Sequence, residues 1–224
     1  MVQLEKIIKQ IHAAEQEYQR KPGSVRLLAV TKGRGIQQIL AAFQQGQSAF
    51  GESYLQEALT KIKALSSYPL EWHFIGNLQA NKTRLIAENF AWVHSLSRFN
   101  IAERLSSQRP AHLPPLNICV EVNVSQESSK SGINAFDLLP FCQKLIHLSH
   151  IKLRGLMVIP EKNDSFEGQR LVFRTVYNML QLLKENGLKV DTLSMGMSGD
   201  FQAAIAEGTT MVRIGSAIFE ANQF

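Results

Sequence analysis

The chain has 224 residues, of which 45% are hydrophobic and 19% charged, and it carries a formal net charge of +5 with a pI near 9.3. That composition supplies one large apolar core. The basic residues are scattered, without a Lys/Arg run or an aromatic-interleaved stripe, so a nucleic-acid partner is not expected. No apolar run is long enough to span a bilayer, and the start, Met-Val-Gln-Leu-Glu-Lys, lacks the apolar core of a signal peptide. A cytoplasmic protein with no membrane partner is the expectation. Cys119 and Cys142 form no CxxC pair and lie in apolar surroundings, as free buried thiols of a reducing compartment do.

The predicted elements alternate. Residues 1–20 read as a helix with Leu4, Ile7, Ile8, Ile11 and Tyr18 on one face, ended by Lys21-Pro22-Gly23-Ser24. The run Arg26-Leu27-Leu28-Ala29-Val30-Thr31-Lys32-Gly33 reads as a buried strand that turns on glycine. Ile36, Ile39, Leu40 and Phe43 follow at helical spacing, with Gly46 placed as a cap. Ser48–Gly51 is a second strand, with its helix marked by Leu55, Ala58, Leu59, Ile62 and Leu65. Trp72-His73-Phe74-Ile75 is a third, with a helix expected over Leu78 to Glu88. Trp92-Val93-His94-Ser95 is a fourth, with a helix through Ile101 and Leu105, and Pro110 to Pro115 is a turn. Leu116 to Val122 is a fifth strand, with Leu138, Phe141, Cys142 and Leu145 on its helix. Ile151 to Val158 is a sixth, followed by the stripe Val172, Val176, Met179, Leu180, Leu183, which Asn186-Gly187 ends. Asp191 to Met195, a short helix with Phe201, Ala204 and Ile205, and Met211 to Ile214 complete the pattern. Eight strands in alternation with helices predict a closed (β/α)8 barrel, preceded by an extra helix, as one domain over 1–224; an open doubly wound sheet is the runner-up.

If the barrel closes, the C-terminal strand ends share one mouth. They bring Lys32, Glu52-Ser53, His73, Gly76, Ser95, Asn123, Met157, Ser194 to Ser198, and Arg213-Gly215 into one ring. An amine held there and partly desolvated is a nucleophile for an aldehyde, whereas a solvated strand-end lysine is the plain reading. Ser194-Met195-Gly196-Met197-Ser198-Gly199-Asp200 and Arg213-Ile214-Gly215-Ser216 each join a strand end to a helix after strands seven and eight, where barrels often bind phosphate. Against this, Ser198 or Asp200 could simply cap its own helix. A lysine opposite a phosphate cradle suggests a phosphorylated aldehyde, of which pyridoxal phosphate (PLP) is the commonest cofactor. Arg213 would then face the pyridine nitrogen and keep it unprotonated, restraining carbanion chemistry; the alternative is a plain ion pair with Glu52 or Glu121. Glu121 and Asn123 share one side of their strand and fit a polar barrel layer. His73 reads either as a satisfied core histidine or as support for the site, and His147 with His150 as surface residues rather than a metal pair.

These residues resemble the pyridoxal phosphate homeostasis protein family of the YggS/PROSC type, built on the fold-type III barrel it shares with the N-terminal domain of alanine racemase. The resemblance runs from Leu27 to Phe219. It rests on Val30-Thr31-Lys32, Phe50-Gly51-Glu52-Ser53-Tyr54 with Gln56-Glu57, Trp72-His73-Phe74-Ile75-Gly76 with Leu78-Gln79 and Asn81-Lys82, Lys130-Ser131-Gly132, Gly155-Leu156-Met157, Ser194 to Ser198 with Asp200, and Arg213-Ile214-Gly215. It implies that Lys32 carries PLP as an aldimine and that Ser198, Gly199, the Arg213 backbone and Gly215 hold its phosphate. It also implies that the Arg213 side chain meets the ring nitrogen. Ser53, His73, Met157 and Ser194 complete the expected PLP-binding set. It further implies a monomeric carrier of PLP, without turnover of its own, that passes the cofactor to PLP-dependent apoenzymes. Ser53 departs from the family's usual asparagine, which shortens the reach of any contact to the ring hydroxyl. The enzyme alternative is an amino-acid racemase, which needs a second base, a tyrosine from an extra β domain. Of Tyr18, Tyr54, Tyr68 and Tyr177, only Tyr54 starts near the mouth.

Overall fold

The computed structural model describes residues 2–124 and 131–219, so Lys130 of the Lys130-Ser131-Gly132 motif lies outside them. In chain order the elements are α1 (Leu4–Glu17), β1 (Arg26–Val30), α2 (Ile36–Gln44), β2 (Ala49–Glu52), α3 (Leu55–Ala64), β3 (Glu71–Phe74), a single 3-10 turn (Ala80–Lys82), α4 (Thr83–Asn89), β4 (Trp92–Leu96), α5 (Phe99–Gln108), β5 (Leu116–Glu121), α6 (Ala135–Leu145), β6 (Ile151–Met157), α7 (Phe166–Glu185), β7 (Thr192–Ser194), α8 (Phe201–Ala206), β8 (Met211–Ile214) and α9 (Ser216–Phe219). The eight strands pair in parallel, in sequence order, and β8 closes onto β1 with Leu28 opposite Arg213 and Ala29 opposite Ile214. The structure is therefore the (β/α)8 barrel and not the open sheet.

Strand alternation divides the side chains into two sets. Phe50, Phe74, Val93, Ile118, Val120, Leu193 and Val212 point outward into the main core, where they meet the buried helix faces of Ile39, Ala58, Ile86, Leu105, Leu138 and Leu180. Two smaller apolar clusters lie inside the barrel: Leu28, Ala49 and Met211 in one, and Trp92, Cys119 and Met157 in the other. The rest of the interior is polar, with Glu71, His73, His94, Ser194 and Arg213 on inward positions. Helix α1 buries Leu4, Ile7, Ile11 and Ala14, and Gln3 N–H donates to Ile218 O at 2.8 Å. Its buried Glu15 accepts from the Gly23 and Val25 N–H groups at 2.9 and 2.8 Å, which fixes where the chain enters β1.

Two boundaries differ from the sequence pattern in a way that bears on the site. β1 stops at Val30, so Lys32 lies on the turn beyond it, although Thr31 N–H still donates to Gly51 O at 2.9 Å. The helix expected over Leu78 to Glu88 begins only at Thr83, after the 3-10 turn. Residues 76–79 are tied elsewhere: Ser95 Oγ donates to Gly76 O at 2.5 Å, Arg98 donates to Leu78 O, and the Leu78 side chain is buried. Gly76 packs so tightly that a Cβ there would sit 2.0 Å from Ser53 O, which only glycine allows.

Candidate functional site

The mouth is built from two unlike halves. On one side is the turn carrying Lys32, which is exposed, as a solvated strand-end lysine is and a partly desolvated amine is not. The residues on either side of it are held from outside the barrel. Lys61, buried on α3, donates to Thr31 O at 2.6 Å and pairs with Glu52 and Glu57 at 2.7 and 2.6 Å. Thr31 Oγ1 donates to Glu52 Oε1 at 2.6 Å, and Gly33 N–H donates to Glu57 Oε1 at 2.7 Å. The backbone before and after Lys32 is thereby clamped to α3 while its side chain is left accessible. Glu52 Oε2 is buried with no hydrogen-bond partner among the described residues, and burial raises the Glu52 carboxyl against the pull of Lys61 and Thr31.

The other half surrounds Arg213, which is 4% exposed. Its Nη1 donates to Ser194 O and Ser194 Oγ at 2.5 and 2.9 Å, and Nη2 donates to Val158 O at 2.8 Å. Burial brings it down to about 10, with Asp200, Cys119 and Glu121 pulling the other way. The ion-pair readings for Arg213 do not hold. Glu52 points outward to Lys61, and Glu121 makes no ion pair among the described residues, although it feels the Arg213 charge while burial raises it. Glu121 and the buried Asn123 line a cavity of 320 Å³ with Ile159 and Pro160, at the ends of β5 and β6.

Between these halves lie the turns after β7 and β8. Ser198 Oγ and Ser216 Oγ are 3.3 Å apart and exposed, so the two turns meet. Asp200 does not cap α8. Its carboxylate folds back to accept from Met197 N–H at 2.5 Å, and the N–H groups of Ser198 and Gly199 find no acceptor among the described residues. Nothing lies within 4 Å of a Cβ built at Gly199, whereas one at Gly215 would be 3.0 Å from Val30 O. Open N–H groups, two hydroxyls and a glycine-tight edge fit a phosphate group. A groove of 510 Å³, lined by Lys6, Gln10, Phe166 and Gln202, opens on the outer side of the same turn.

Ser53 sits half-exposed at the rim. The structure places His73, Ser194 and Met157 beneath the mouth: both ring nitrogens of His73 are engaged by Glu71 and His94, the Ser194 hydroxyl by His94 and Arg213, and Met157 is packed with Trp92 and Cys119. Glu71, His94 and Lys61 were not singled out from sequence. His94 was within reach, because it shares the inward parity of His73 on the next strand. His147 and His150 gather no third ligand; among the described residues no three His, Cys, Asp or Glu side chains cluster for a metal.

The model of the family "Alanine racemase, N-terminal domain" matches residues 2–223. A protein of Pseudomonas aeruginosa named pyridoxal phosphate homeostasis protein is 49% identical over 219 residues, covering 98% of this chain and 94% of its own. The chain belongs to the pyridoxal phosphate homeostasis protein family. The Vibrio cholerae member is 48% identical over 220 residues, covering 96% and 93%. The structure of PipY, a COG0325 family member from Synechococcus elongatus solved with PLP bound, is 33% identical with a TM-score of 0.83, covering 93% of this chain and 99% of PipY. Alanine racemase of Corynebacterium glutamicum is 19% identical with a TM-score of 0.68, covering 96% of this chain and 60% of the racemase, a likeness of fold alone.

Proposed function

We propose that this chain binds PLP in the barrel mouth and serves its homeostasis, holding the cofactor and releasing it to competing amines without turning over a substrate. The observation that carries the reading is the family relationship, with PipY solved with PLP bound on the same barrel. Bound PLP supplies an aldehyde, which an amine converts to an imine with loss of water. Lys32 is the amine, placed on a clamped turn with its side chain open to solvent. Ser198, Gly199, Ser216 and Gly215 hold phosphate, Arg213 presents its guanidinium to the ring nitrogen, and Ser53 stands at the rim. A guanidinium keeps its own protons and so leaves the ring nitrogen unprotonated, which weakens the carbanion chemistry an enzyme would need.

The racemase reading draws on the matched family model, but among the described residues no tyrosine is packed into the mouth as a second base. Tyr18 stacks on Phe166, Tyr68 packs against Phe43 and Tyr177 lies against Gly208, so Tyr54 alone stands near the rim, 63% exposed and unpacked. We further read the protein as a monomer of the cytoplasm that delivers PLP to apoenzymes; the free, buried thiols of Cys119 and Cys142 support a reducing compartment. No described helix is long and apolar enough to cross a membrane.

The test is uptake of PLP followed by a broad amino-acid screen. An absorbing complex that loses its cofactor to added amines, with no multiple turnover, supports carriage. Sustained racemisation or decarboxylation would make it an enzyme, and no uptake would remove PLP from the account.

A further inference from the structure

A chain of hydrogen bonds crosses the barrel interior from its floor to Arg213. On the floor, Arg26 Nη1 pairs with Glu71 Oε1 at 2.8 Å. The same oxygen meets His73 Nε2 at 2.6 Å, His73 Nδ1 meets His94 Nε2 at 2.9 Å, and His94 Nδ1 meets Ser194 Oγ at 2.8 Å. Ser194 Oγ also accepts from Arg213 Nη1. Both histidines are 0% exposed, and Trp92 stacks flat on His73, with ring centroids 5.3 Å apart and planes 9° apart.

With Glu71 ionised and both rings neutral, one proton arrangement satisfies every contact. The Glu71 carboxylate can only accept, so His73 carries its hydrogen on Nε2, and its bare Nδ1 accepts from His94 Nε2. That leaves His94 Nδ1 to accept the Ser194 hydrogen, while Ser194 Oγ accepts from Arg213, which can only donate. Burial raises the Glu71 carboxyl, but His73 and Arg26 outweigh it and bring it down to about 2, so the carboxylate accepts. Burial keeps His73 and, more strongly, His94 neutral, with Arg26 and Arg213 as the cations that face them. Every bond therefore points the same way, from Arg213 down to Glu71, and bonds so aligned polarise one another.

We infer that Glu71, His73, His94 and Ser194 are positioning residues, a one-directional relay that makes the floor carboxylate the remote counter-charge of Arg213 and fixes the guanidinium toward the PLP ring. This deepens the proposed function and rests on it for the ligand, although the relay is present in the protein alone. Among the described residues no carboxylate touches Arg213 directly; its acceptors are the neutral Val158 O, Ser194 O and Ser194 Oγ, and the last of these is aligned through the histidines from Glu71.

The experiment has two arms. Imidazole nitrogen NMR of the unliganded protein reads the relay without PLP. His73 and His94 should both carry hydrogen on Nε2 and stay neutral at neutral pH, and in Glu71→Gln the His73 signals should shift. A hydrogen on Nδ1 of either ring, or Glu71→Gln signals identical to wild type, would overturn the relay. The second arm follows PLP absorbance and release to a competing amine. His94→Leu should change the balance of the absorbance bands and release PLP about tenfold faster, the scale for loss of a hydrogen bond to a charged group. His94→Gln, which can accept and donate in the same places, should recover most of the wild-type behaviour. Glu71→Gln, on the half-exposed floor, keeps the second arm readable if His94→Leu does not fold, and should shift the bands in the same direction by less. Unchanged spectra and release in folded His94→Leu, or in Glu71→Gln where His94→Leu does not fold, would overturn the inference. If wild type takes up no PLP, the functional reading fails and the first arm still judges the relay.

Discussion

The Lys32 turn and the Arg213 end of the barrel are built to opposite plans. Lys32 is exposed, and the side chains that steady its neighbouring backbone act from outside the barrel, through Lys61, Glu52 and Glu57. Arg213 is buried, and what steadies it acts on the guanidinium from inside, through Ser194 and the histidines beneath. A group that must form and break a bond needs access to solvent and freedom to swing. A group that only recognises benefits from being set in advance, because its ordering cost is met on folding rather than on binding. Under the proposed function the difference separates the covalent step from recognition, and each variant below should disturb one half while sparing the other.

The largest effect is expected at Lys32. Lys32→Ala should abolish covalent, reducible PLP completely yet change folding stability by less than about 0.5 kcal/mol, as for an exposed side chain; a spectrum and a thermal melt check both. Lys61→Met should do the reverse first. It strands Glu52 in the core and should cost about 3 kcal/mol in urea unfolding at pH 7. Because burial already raises Glu52 above its ordinary 4.5, the unfolded carboxyl ionises more readily than the folded one, so this deficit should shrink as pH falls from 7 toward 4.5.

The Arg213 half should show itself in acid. His73 and His94 lie below their ordinary 6.5, so below that value the unfolded chain binds protons that the folded chain refuses. Stability should fall as pH drops from 6.5, by up to about 1 kcal/mol per pH unit for each histidine. Glu71, at about 2 against 4.5, adds a further loss between those values. A urea series across pH checks this, and His94→Gln should flatten the upper part of the slope. The smallest effect belongs to the rim. Ser53→Asn, which introduces the residue the resemblance leads one to expect there, should tighten PLP by about two- to fivefold, the scale of one ordinary hydrogen bond, as read by equilibrium dialysis.

What the sequence made legible follows the same division. The barrel was readable because each strand is a short apolar run and each helix repeats its apolar face, and Lys32 was readable because a strand-end position is defined by its immediate neighbours. The turns after β7 and β8 were readable for the same reason. The support of Arg213 was not: Ser194 was readable as a strand end, but its bond to His94, a hundred residues away on β4, forms only when the barrel closes. The clamp on Lys32 was hidden differently: Lys61 falls among the apolar positions of its helix and reads as a surface lysine until Glu52 is seen to face outward. The late start of α4 was also hidden, since the bonds from Ser95 and Arg98 that hold residues 76–79 come from the next strand and the loop after it.

Attachment at Lys32 is tested most directly by borohydride reduction of the protein incubated with PLP, followed by peptide mass mapping. A single pyridoxyl label on the peptide containing Lys32 is the expected result. A label confined to another lysine, or none at all, would contradict it.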